Sequence, residues 1–145
     1  MSVEATPETQ GRARAFTFDV ETRSRVEFTD ITARIEELLE ASRVEGGVCH
    51  VFVPHTSAAL LINENADPSL RKDLDDFLKS LAPRDRHYVH DDGNCDAHLK
   101  AALLGCSKTL LVEKNRLVLG RWQGIFFCEF DGPRQRSVRV KIVAD

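Results

Sequence analysis

Length, composition and charge place this chain among ordinary globular proteins. Its 145 residues fit one domain with a sizeable core, and 42% hydrophobic with 30% charged residues is a typical globular balance. The net charge of −3 gives no sign of the strongly basic surface typical of proteins that bind nucleic acid or anionic membranes. We therefore expect neither nucleic acid nor a membrane as a partner.

The N-terminal segment and the cysteines bear on where the protein is located. The first residues, MSVEATPETQGRAR, contain no apolar stretch typical of a signal peptide, and no apolar run approaches the length of a membrane span. Four cysteines, Cys49, Cys95, Cys106 and Cys128, form no CxxC pair and are interpreted as free thiols. Together these features favour the cytoplasm.

The first third of the chain predicts a tail, two strands and a helix. Residues 1–12 are polar and predict a flexible N-terminal tail, and residues 13–145 predict a single domain. The stretches RAFTFDVE and RVEF predict strands, because apolar residues alternate with polar ones. TDITARIEELLEASRVEGG then predicts a helix that Thr29 or Asp30 caps.

The middle of the chain predicts two more strands and a second helix. VCHVFVPH and SAALLI are rich in strand-forming residues, with a kink or edge at Pro54. Asp67 is a good helix cap and Pro68 a good first helical residue. At helical spacing, the buried side of this helix would be formed by Leu70, Leu74, Phe77, Leu78 and Leu81.

The last third predicts a third helix and four strands. CDAHLKAALLG predicts a helix that ends at Gly105, and KTLLVE, RLVLG, WQGIFFCEF and SVRVKIV predict strands. The resulting order, ββαββααββββ, indicates an α+β protein with two to three helices and a mostly antiparallel sheet or sandwich. WQGIFFCEF is apolar on both faces and needs cover on both sides, so we expect a symmetric oligomer to supply part of it.

Three histidines stand where a metal or ligand site would be expected. His55 follows the Pro54 kink, and His90 and His98 flank a Gly-containing loop at the start of the third helix. Asn94 is well placed to cap that helix, whose positive end favours a neutral imidazole at His98. Three imidazoles with an open fourth position would suit zinc or a related ion.

Ordinary structural roles are the alternative for the same histidines. In that interpretation His98 packs on its helix, His90 is solvated, and His55 forms a hydrogen bond with a neighbouring strand. The spacing of His90 and His98 matches no standard zinc motif, so spacing by itself leaves both interpretations open.

Other polar residues supply candidate bases, clamps and pocket walls. Asp96 and Glu129 are candidate bases or partners that orient metal ligands. Arg134, in the turn DGPR, is a candidate bidentate clamp for a phosphate or carboxylate, and Gln123 is a candidate pocket residue. A plain surface or core role is the alternative for each. The standard nucleotide-binding loops, GxGxxG and GxxxxGK(S/T), do not occur.

Three long segments, in this order, resemble one known family. HTSAALLINENADPSLRKDL, YVHDDGNCDAHLKAALLG and LVLGRWQGIFFCEFDGPRQRSV are similar to motifs of the YjbQ-like family of small bacterial and archaeal proteins. The resemblance covers about residues 14–143. The polar signature of that family falls in this chain on His55, Asn63, Glu64, Asp73, His90, Asn94, His98, Gln123, Glu129, Asp131 and Arg134.

The resemblance implies an architecture and a site. The implied fold is an α+β subunit built on a β-sandwich and assembled as a homotrimer, with sites near the subunit contacts. The family's histidines are associated with a shared metal or ligand site, which implies the same for His55, His90 and His98. The signature also adds Asn63 and Asn94 to the candidate ligand-binding residues.

The resemblance also implies functions. Family members are associated with a secondary thiamine-phosphate synthase activity, which joins a pyrimidine pyrophosphate to a thiazole phosphate and releases pyrophosphate. In an enzyme, the histidines would hold a zinc-like divalent ion, although Mg²⁺ is usual for this reaction. Glu129 or Asp96 would carry a proton. Arg134 or Lys100 would bind the anionic part of the substrate.

Two alternatives to an enzyme use the same residues. In the first, the trimer is a non-catalytic module that binds a small phosphorylated metabolite between its subunits. The histidines and Arg134 would then act as ligands of the anion. In the second, the polar signature maintains turns and subunit contacts, and the role of these residues is purely structural.

Overall fold

The order of helices and strands follows the sequence prediction closely. The computed structural model describes residues 12–145 and the backbone of Val3–Glu4. Its strands are β1 (Val3–Glu4), β2 (Ala13–Glu21), β3 (Glu27–Asp30), β4 (Gly47–Phe52), β5 (Ala58–Glu64), β6 (Ser107–Glu113), β7 (Arg116–Leu117), β8 (Gln123–Glu129) and β9 (Gln135–Ala144). Its helices are α1 (Thr32–Ser42), α2 (Ser69–Leu81) and α3 (Cys95–Leu104). From β2 onward the predicted order ββαββααββββ is confirmed.

The predicted N-terminal tail falls mostly on residues outside the described part of the chain. Of residues 1–12, the structure describes residue 12 and Val3–Glu4, which pair with Phe18 and Thr17 of β2. For the rest of the segment the tail stays a prediction.

The strands form two antiparallel sheets that pack into a sandwich. The larger sheet has the order β1-β2-β9-β4-β6-β7, and the smaller sheet has the order β3-β8-β5. Every strand pair is antiparallel. One hydrophobic core joins both sheets and includes Ile35, Leu38 and Leu39 of α1. The predicted α+β class with a mostly antiparallel sandwich is therefore confirmed.

The alternation of apolar residues in β2 and β9 explains how the larger sheet faces the core. Phe16 and Phe18 are opposite Val140 and Val138 in the register of these two strands. All four side chains are buried in the core between the sheets. Because side chains point to alternate faces of a strand, the polar residues between them face outward.

Strand β8 is buried on both faces, and the chain itself supplies the second cover. Ile125 and Phe127 face the core between the two sheets. Phe126 and Cys128 face a second core, which also contains the following residues of β5, α2 and α3: Ala59, Leu78, Ala97 and Ala101. The helices thus provide the cover that the sequence analysis attributes to an oligomer, so this strand no longer argues for a subunit contact.

Helix α2 packs less deeply than its sequence predicts. Of the five apolar residues predicted to be buried, Leu78 is buried and Leu70 and Leu74 are partly buried. Phe77 and Leu81 are 59% and 50% exposed, so the prediction is wrong for these two. The apolar stripe of α2 is wider than the surface that the smaller sheet offers it.

The starts of the helices differ in how well their caps are predicted. The N-cap residues of α1 and α2 are Ile31 and Pro68, each one residue later than the predicted aspartate. Asp30 Oδ1 and Asp67 Oδ1, just before them, accept the N–H of the first helical residue, Thr32 and Ser69, at 2.9 Å in both cases. Asn94 lies at the start of α3, but its side chain makes no capping hydrogen bond. In the described part of the chain, no helix has the length and apolar character needed to cross a bilayer.

The two-sided burial of β8 gives a direct test. We expect Phe126→Ala to lower the free energy of unfolding by about 3–5 kcal/mol, because a phenylalanine that is 2% exposed leaves a cavity. Urea unfolding of purified protein measures this loss. The matched control is Phe77→Ala on the exposed side of α2, for which we expect less than about 1 kcal/mol. Equal, small losses for both variants would contradict the second core.

Candidate functional site

A buried ion pair between β8 and β9 forms the base of the candidate site. Arg136 Nε donates to Glu129 Oε1 at 2.8 Å, and Arg136 Nη2 donates to Glu129 Oε2. Thr22 Oγ1 also donates to Oε1, at 2.8 Å. The backbone N–H groups of Phe130 and Asp131 each donate to Oε2 at 3.1 Å. Both carboxylate oxygens are therefore occupied, in a side chain with no exposed surface.

These contacts determine what Glu129 can do chemically. Burial by itself raises the pKa of Glu129, but hydrogen bonds from Arg136, Thr22 and the Asp131 backbone outweigh it and hold the pKa below its ordinary value. The sequence predicts Glu129 as a proton carrier. In the structure it is a fixed carboxylate whose acceptors are in use, so we assign it a positioning role.

The same arginine fixes the segment just before β5. Arg136 Nη2 donates to Ser57 Oγ at 2.9 Å, which ties this segment to the ion pair. His55 lies two residues earlier, and its Nε2 accepts the backbone N–H of Ser137 at 3.0 Å. An N–H group can only donate, so Nε2 is bare and the neutral ring carries its proton on Nδ1. Burial, followed by the positive charge of Arg136, lowers the pKa of His55.

Two histidine rings meet at the start of α3. His98 Nδ1 lies 2.9 Å from the backbone oxygen of Thr56. A carbonyl can only accept, so Nδ1 carries a proton and Nε2 is bare in the neutral ring. The ring centre of His90 lies 5.2 Å from that of His98, with the planes at 78°. His90 Nε2 is 3.5 Å from the exposed carboxylate of Asp92.

The structure brings together two of the three predicted histidines. His90 and His98 contact each other, whereas His55 directs its Nε2 to strand β9, as the alternative interpretation expects. Among residues 12–145, no group of three or more His, Cys, Asp or Glu side chains is arranged to hold a metal ion. The residues do not fit a three-histidine metal site, because Nε2 of His55 already accepts the backbone N–H of Ser137.

Asn94 and Arg134 converge on Asp131, at the turn between β8 and β9. Asn94 Nδ2 donates to Asp131 Oδ2 at 2.9 Å, and Arg134 Nη2 donates to the same oxygen at 3.0 Å. Burial raises the pKa of Asp131, but the hydrogen bonds from Asn94 and Arg134 outweigh it, so the pKa is lowered. Asn94 Oδ1 is buried without a partner in the described residues. Arg134 stays half exposed and keeps guanidinium N–H groups toward solvent.

Asp96 and Lys100 lie on the far side of α3 from His98. Residues two apart on a helix differ by about 200° in direction, so Asp96 faces away from the histidine rings. Its carboxylate accepts both terminal nitrogens of Arg25, at 3.1 and 3.0 Å, and Lys100 Nζ at 3.2 Å. Burial raises the pKa of Asp96, but these hydrogen bonds outweigh it and the pKa is lowered. The two residues are buried and lie apart from the histidine pair.

Asn63 and Gln123 lie at the opposite end of the smaller sheet. Gln123 begins β8 and Glu129 ends it, a separation of about 20 Å along the strand. Gln123 Oε1 accepts the Gly120 N–H at 2.7 Å, and Asn63 Oδ1 accepts the Glu64 N–H at 2.8 Å. Both side chains have local turn roles, and one subunit does not bring them to the histidines.

A small pocket of about 210 Å³ opens beside His90, at the start of α3. Its charged and imidazole side chains are two arginines and two histidines against a single aspartate: Arg84, Arg86, His87, His90 and Asp91. His90 is a predicted site residue, but Arg84, Arg86 and His87 are not among the candidates from the sequence. The basic run RDRHYVH, which four residues separate from the start of α3, is the signal that identifies them.

Arg136 is a second residue that the sequence analysis misses. It lies in β9 two residues before Val138, on the face that Val138, Val140 and Ile142 direct into the core. A charged residue in register with buried apolar ones requires a buried partner of opposite charge. That pattern, together with Glu129 in an otherwise apolar strand, is the available signal.

Loss of the buried carboxylate should be costly. We expect Glu129→Gln to lower the free energy of unfolding by about 3–5 kcal/mol, because Arg136 is left as a buried charge without its partner. Urea unfolding at neutral pH measures the change. Glu37→Gln, on the exposed side of α1, is the matched control and should be close to neutral. A loss below about 1 kcal/mol for Glu129→Gln would contradict a structural ion pair.

His55 should make stability depend on pH in the mildly acidic range. Because its pKa is lower in the folded protein, the unfolded chain binds more protons below about pH 6.5, and this contribution to stability is lost as pH falls from there toward the folded pKa. The contribution is fully present above pH 6.5. His55→Gln keeps an acceptor for Ser137. Between about pH 7 and 5, it should reduce the slope of the unfolding free energy against pH by an amount that corresponds to at most one bound proton. An NMR titration that finds His55 protonated above pH 6.5 would contradict this.

Comparison with known proteins identifies the family of this chain. The family model described as UPF0047 protein YjbQ-like matches residues 16–145. A UPF0047 protein of Methanocaldococcus jannaschii is 46% identical over 130 residues, which cover 90% of this chain and 94% of the relative. The UPF0047 protein YugU of Bacillus subtilis is 41% identical over 128 residues, covering 88% of this chain and 97% of YugU.

Solved structures agree with the sequence comparison. The structure of an uncharacterised YjbQ/UPF0047 protein from Clostridium acetobutylicum matches with a TM-score of 0.86 and 43% identity, over 88% of this chain and 98% of that one. A protein of unknown function from Sulfolobus solfataricus matches with a TM-score of 0.88 and 34% identity, over 92% and 98%. The chain therefore belongs to the YjbQ-like UPF0047 family.

Proposed function

We propose that this protein binds a small phosphorylated molecule in the pocket at the start of α3 and transfers a proton there through His98. The observation that carries the proposal is the pocket of Arg84, Arg86, His87 and His90, which abuts the His90–His98 pair. We expect the protein to act in the cytoplasm, without nucleic-acid or membrane partners.

The charges around the pocket favour an anionic ligand. Two guanidinium groups and two imidazoles supply hydrogen-bond donors, against the single carboxylate of Asp91. Cys95, the first residue of α3, also lines the pocket, which places the positive end of the helix dipole beside it. Arginine matches the geometry of phosphate oxygens well, so a phosphate group is the ligand that these donors recognise best.

His98 has the arrangement of a general acid or base. Its Nδ1–H is held by the Thr56 carbonyl, so the ring is oriented and its bare Nε2 can accept a proton. Glu129 and Asp96, the predicted proton carriers, are saturated with hydrogen bonds and have lowered pKa values. Among the predicted candidates, His98 is therefore the better proton carrier.

The family resemblance supplies a specific version of this reaction. In thiamine-phosphate synthesis, the thiazole nitrogen forms a bond to the methylene carbon of the pyrimidine while the bond from that carbon to the pyrophosphate oxygen breaks. Protonated His98 would donate its Nε2 proton to the departing pyrophosphate. The donors of the pocket suit the departing pyrophosphate, and Arg134, which is half exposed, is available to a second anionic group. The alternative is a binding module that holds the phosphorylated molecule without turnover. The same pocket would serve it.

A bound divalent metal is the second candidate for this site. The 5.2 Å between the ring centres of His90 and His98 is close to the separation of about 5 Å for two imidazoles that share a tetrahedral zinc ion. Two imidazoles leave such an ion short of protein ligands, so a zinc-like ion or Mg²⁺ would need ligands from the substrate or a partner subunit. Elemental analysis of the purified protein tests this candidate.

Self-association is the third part of the proposal. Large apolar side chains stay exposed on the two helices that cover the smaller sheet, namely Phe77, Leu81, Leu99 and Leu103. Exposed apolar residues on neighbouring helices suit a contact with a second copy of the chain. The homotrimer implied by the family is the assembly that we propose, and sedimentation analysis measures it.

Two substitutions separate ligand binding from proton transfer. We expect Arg86→Gln to weaken the binding of pyrophosphate by about tenfold or more, because one charge-assisted donor is lost. We expect His98→Asn to bind within about twofold of the original, because its amide N–H can replace Nδ1–H at Thr56. The same variant should lose thiamine-phosphate formation, because it cannot protonate the departing pyrophosphate. Calorimetry and a pyrophosphate-release assay make the two measurements.

The control and the contrary outcomes are defined by the same assays. Arg139→Gln, at an exposed position in the middle of β9, should leave both binding and turnover unchanged. Unchanged turnover in His98→Asn would contradict the proton role. Pyrophosphate binding without any turnover in the original protein would favour the binding module, and unchanged binding in Arg86→Gln would contradict the pocket.

A further inference from the structure

A larger cleft lies on the other side of α3 and is used neither by the histidines nor by the proposed reaction. Its volume is about 510 Å³, within the range of about 300–1,000 Å³ typical of small-molecule sites. It lies between α3, the end of α2 and the turn before β3. Its walls include Arg25, Val26, Lys79, Pro83 and Lys100.

The buried charges at the bottom of the cleft do not balance. Arg25 and Lys100 both bind the carboxylate of Asp96, so two cations share one anion. Lys100 and Asp96 are 2% and 1% exposed, and Arg25 is 22% exposed. The other charges near the cleft cancel. Lys79 is paired with Asp75 at 2.7 Å, and the wall holds one further cation and one further anion, Arg84 and Asp85. The carboxylate of Asp131, which also interacts with Arg25, is bound by Arg134. The buried part of the cleft therefore carries a surplus positive charge.

Hydrogen-bond donors in the cleft are also left over. Arg25 Nε is buried and has no partner among the described residues. Lys100 Nζ has three N–H groups, and Asp96 Oδ2 is its single acceptor within the part of the chain that the structure describes. Burying an unpaired donor, particularly on a charged group, is costly unless an acceptor is supplied.

We propose that this cleft is a binding site for the oxyanion group of a small molecule, either a phosphate or a carboxylate. Such a group supplies both the missing negative charge and several acceptor oxygens, and Arg25 and Lys100 are the residues that would bind it. Val26 and Pro83 provide apolar surface for the organic part of the molecule. This site is separate from the one that contains His98, although Arg84 borders both.

The test monitors Arg25 Nε, the buried donor that has no partner among the described residues. Inorganic phosphate and malonate, as the phosphate and carboxylate probes, are titrated into the protein at constant ionic strength, with sodium chloride as the control. The ¹H–¹⁵N signal of Arg25 Nε, assigned by its loss in Arg25→Lys, is expected to shift and saturate with at least one probe. Absence of a saturable shift with both probes, or an equal shift with chloride, would overturn the proposal.

Substitutions show whether the binding belongs to this cleft. Lys100→Met should weaken the affinity reported by Arg25 Nε by about tenfold or more, and Arg25→Lys should weaken calorimetric binding similarly. Lys72→Met, at an exposed ion pair of α2, should change neither. Unchanged affinity in both cleft variants would overturn the proposal. If Lys100→Met does not fold, Arg25→Lys, which keeps the charge, decides the question.

One variant distinguishes failure of the cleft proposal from failure of the proposed function. Arg86→Gln removes a donor from the pocket near His90 and should leave the Arg25 Nε titration unchanged. If Arg86→Gln abolishes the titration, the cleft is not a separate site and the inference fails, while the proposed function stands. If Arg86→Gln leaves pyrophosphate affinity unchanged while the Arg25 Nε signal still shifts and saturates, the proposed function fails and the cleft proposal stands.

Discussion

A buried ion pair, Glu129 with Arg136, holds together the parts of the chain from which the candidate site is built. Glu129 accepts the backbone N–H of Asp131, and Arg136 donates to Ser57, next to the Thr56 carbonyl that orients His98. A buried pair of this kind adds little net stability compared with apolar residues of the same shape, but loss of one partner is costly. Its role here is to specify the positions of the turn after β8 and the segment before β5.

The second structural condition is the burial of β8 on both faces. One face closes the sandwich, and the other carries α2 and α3, so the start of α3 is brought to the end of β8 where the ion pair lies. Helix α3 then divides two environments. His98 faces the histidine pair on one side, and Asp96 with Lys100 faces the cleft of Arg25 on the other.

Particular residues explain which parts of the site were predictable. His90 and His98 are predictable because they flank one loop and the start of one helix, a local arrangement that brings their rings together. His55 is predicted at the end of its strand, but β4 ends at Phe52, three residues earlier, and the direction of the His55 ring depends on Ser137, 82 positions away. The side chain of Asn94 is predicted to cap the helix amides, but in the structure it donates to Asp131, in the turn after β8.

Local periodicity, turn residues and long motifs are enough to predict the order of helices and strands, the antiparallel α+β class and the family. The folded structure settles which polar groups form hydrogen bonds with one another, as with Thr22 and Glu129, which are 107 positions apart. It also decided which apolar faces stay uncovered, as on α2. The physical reason is that hydrogen bonds and ion pairs between side chains depend on distances of a few ångströms, which packing fixes and local pattern does not.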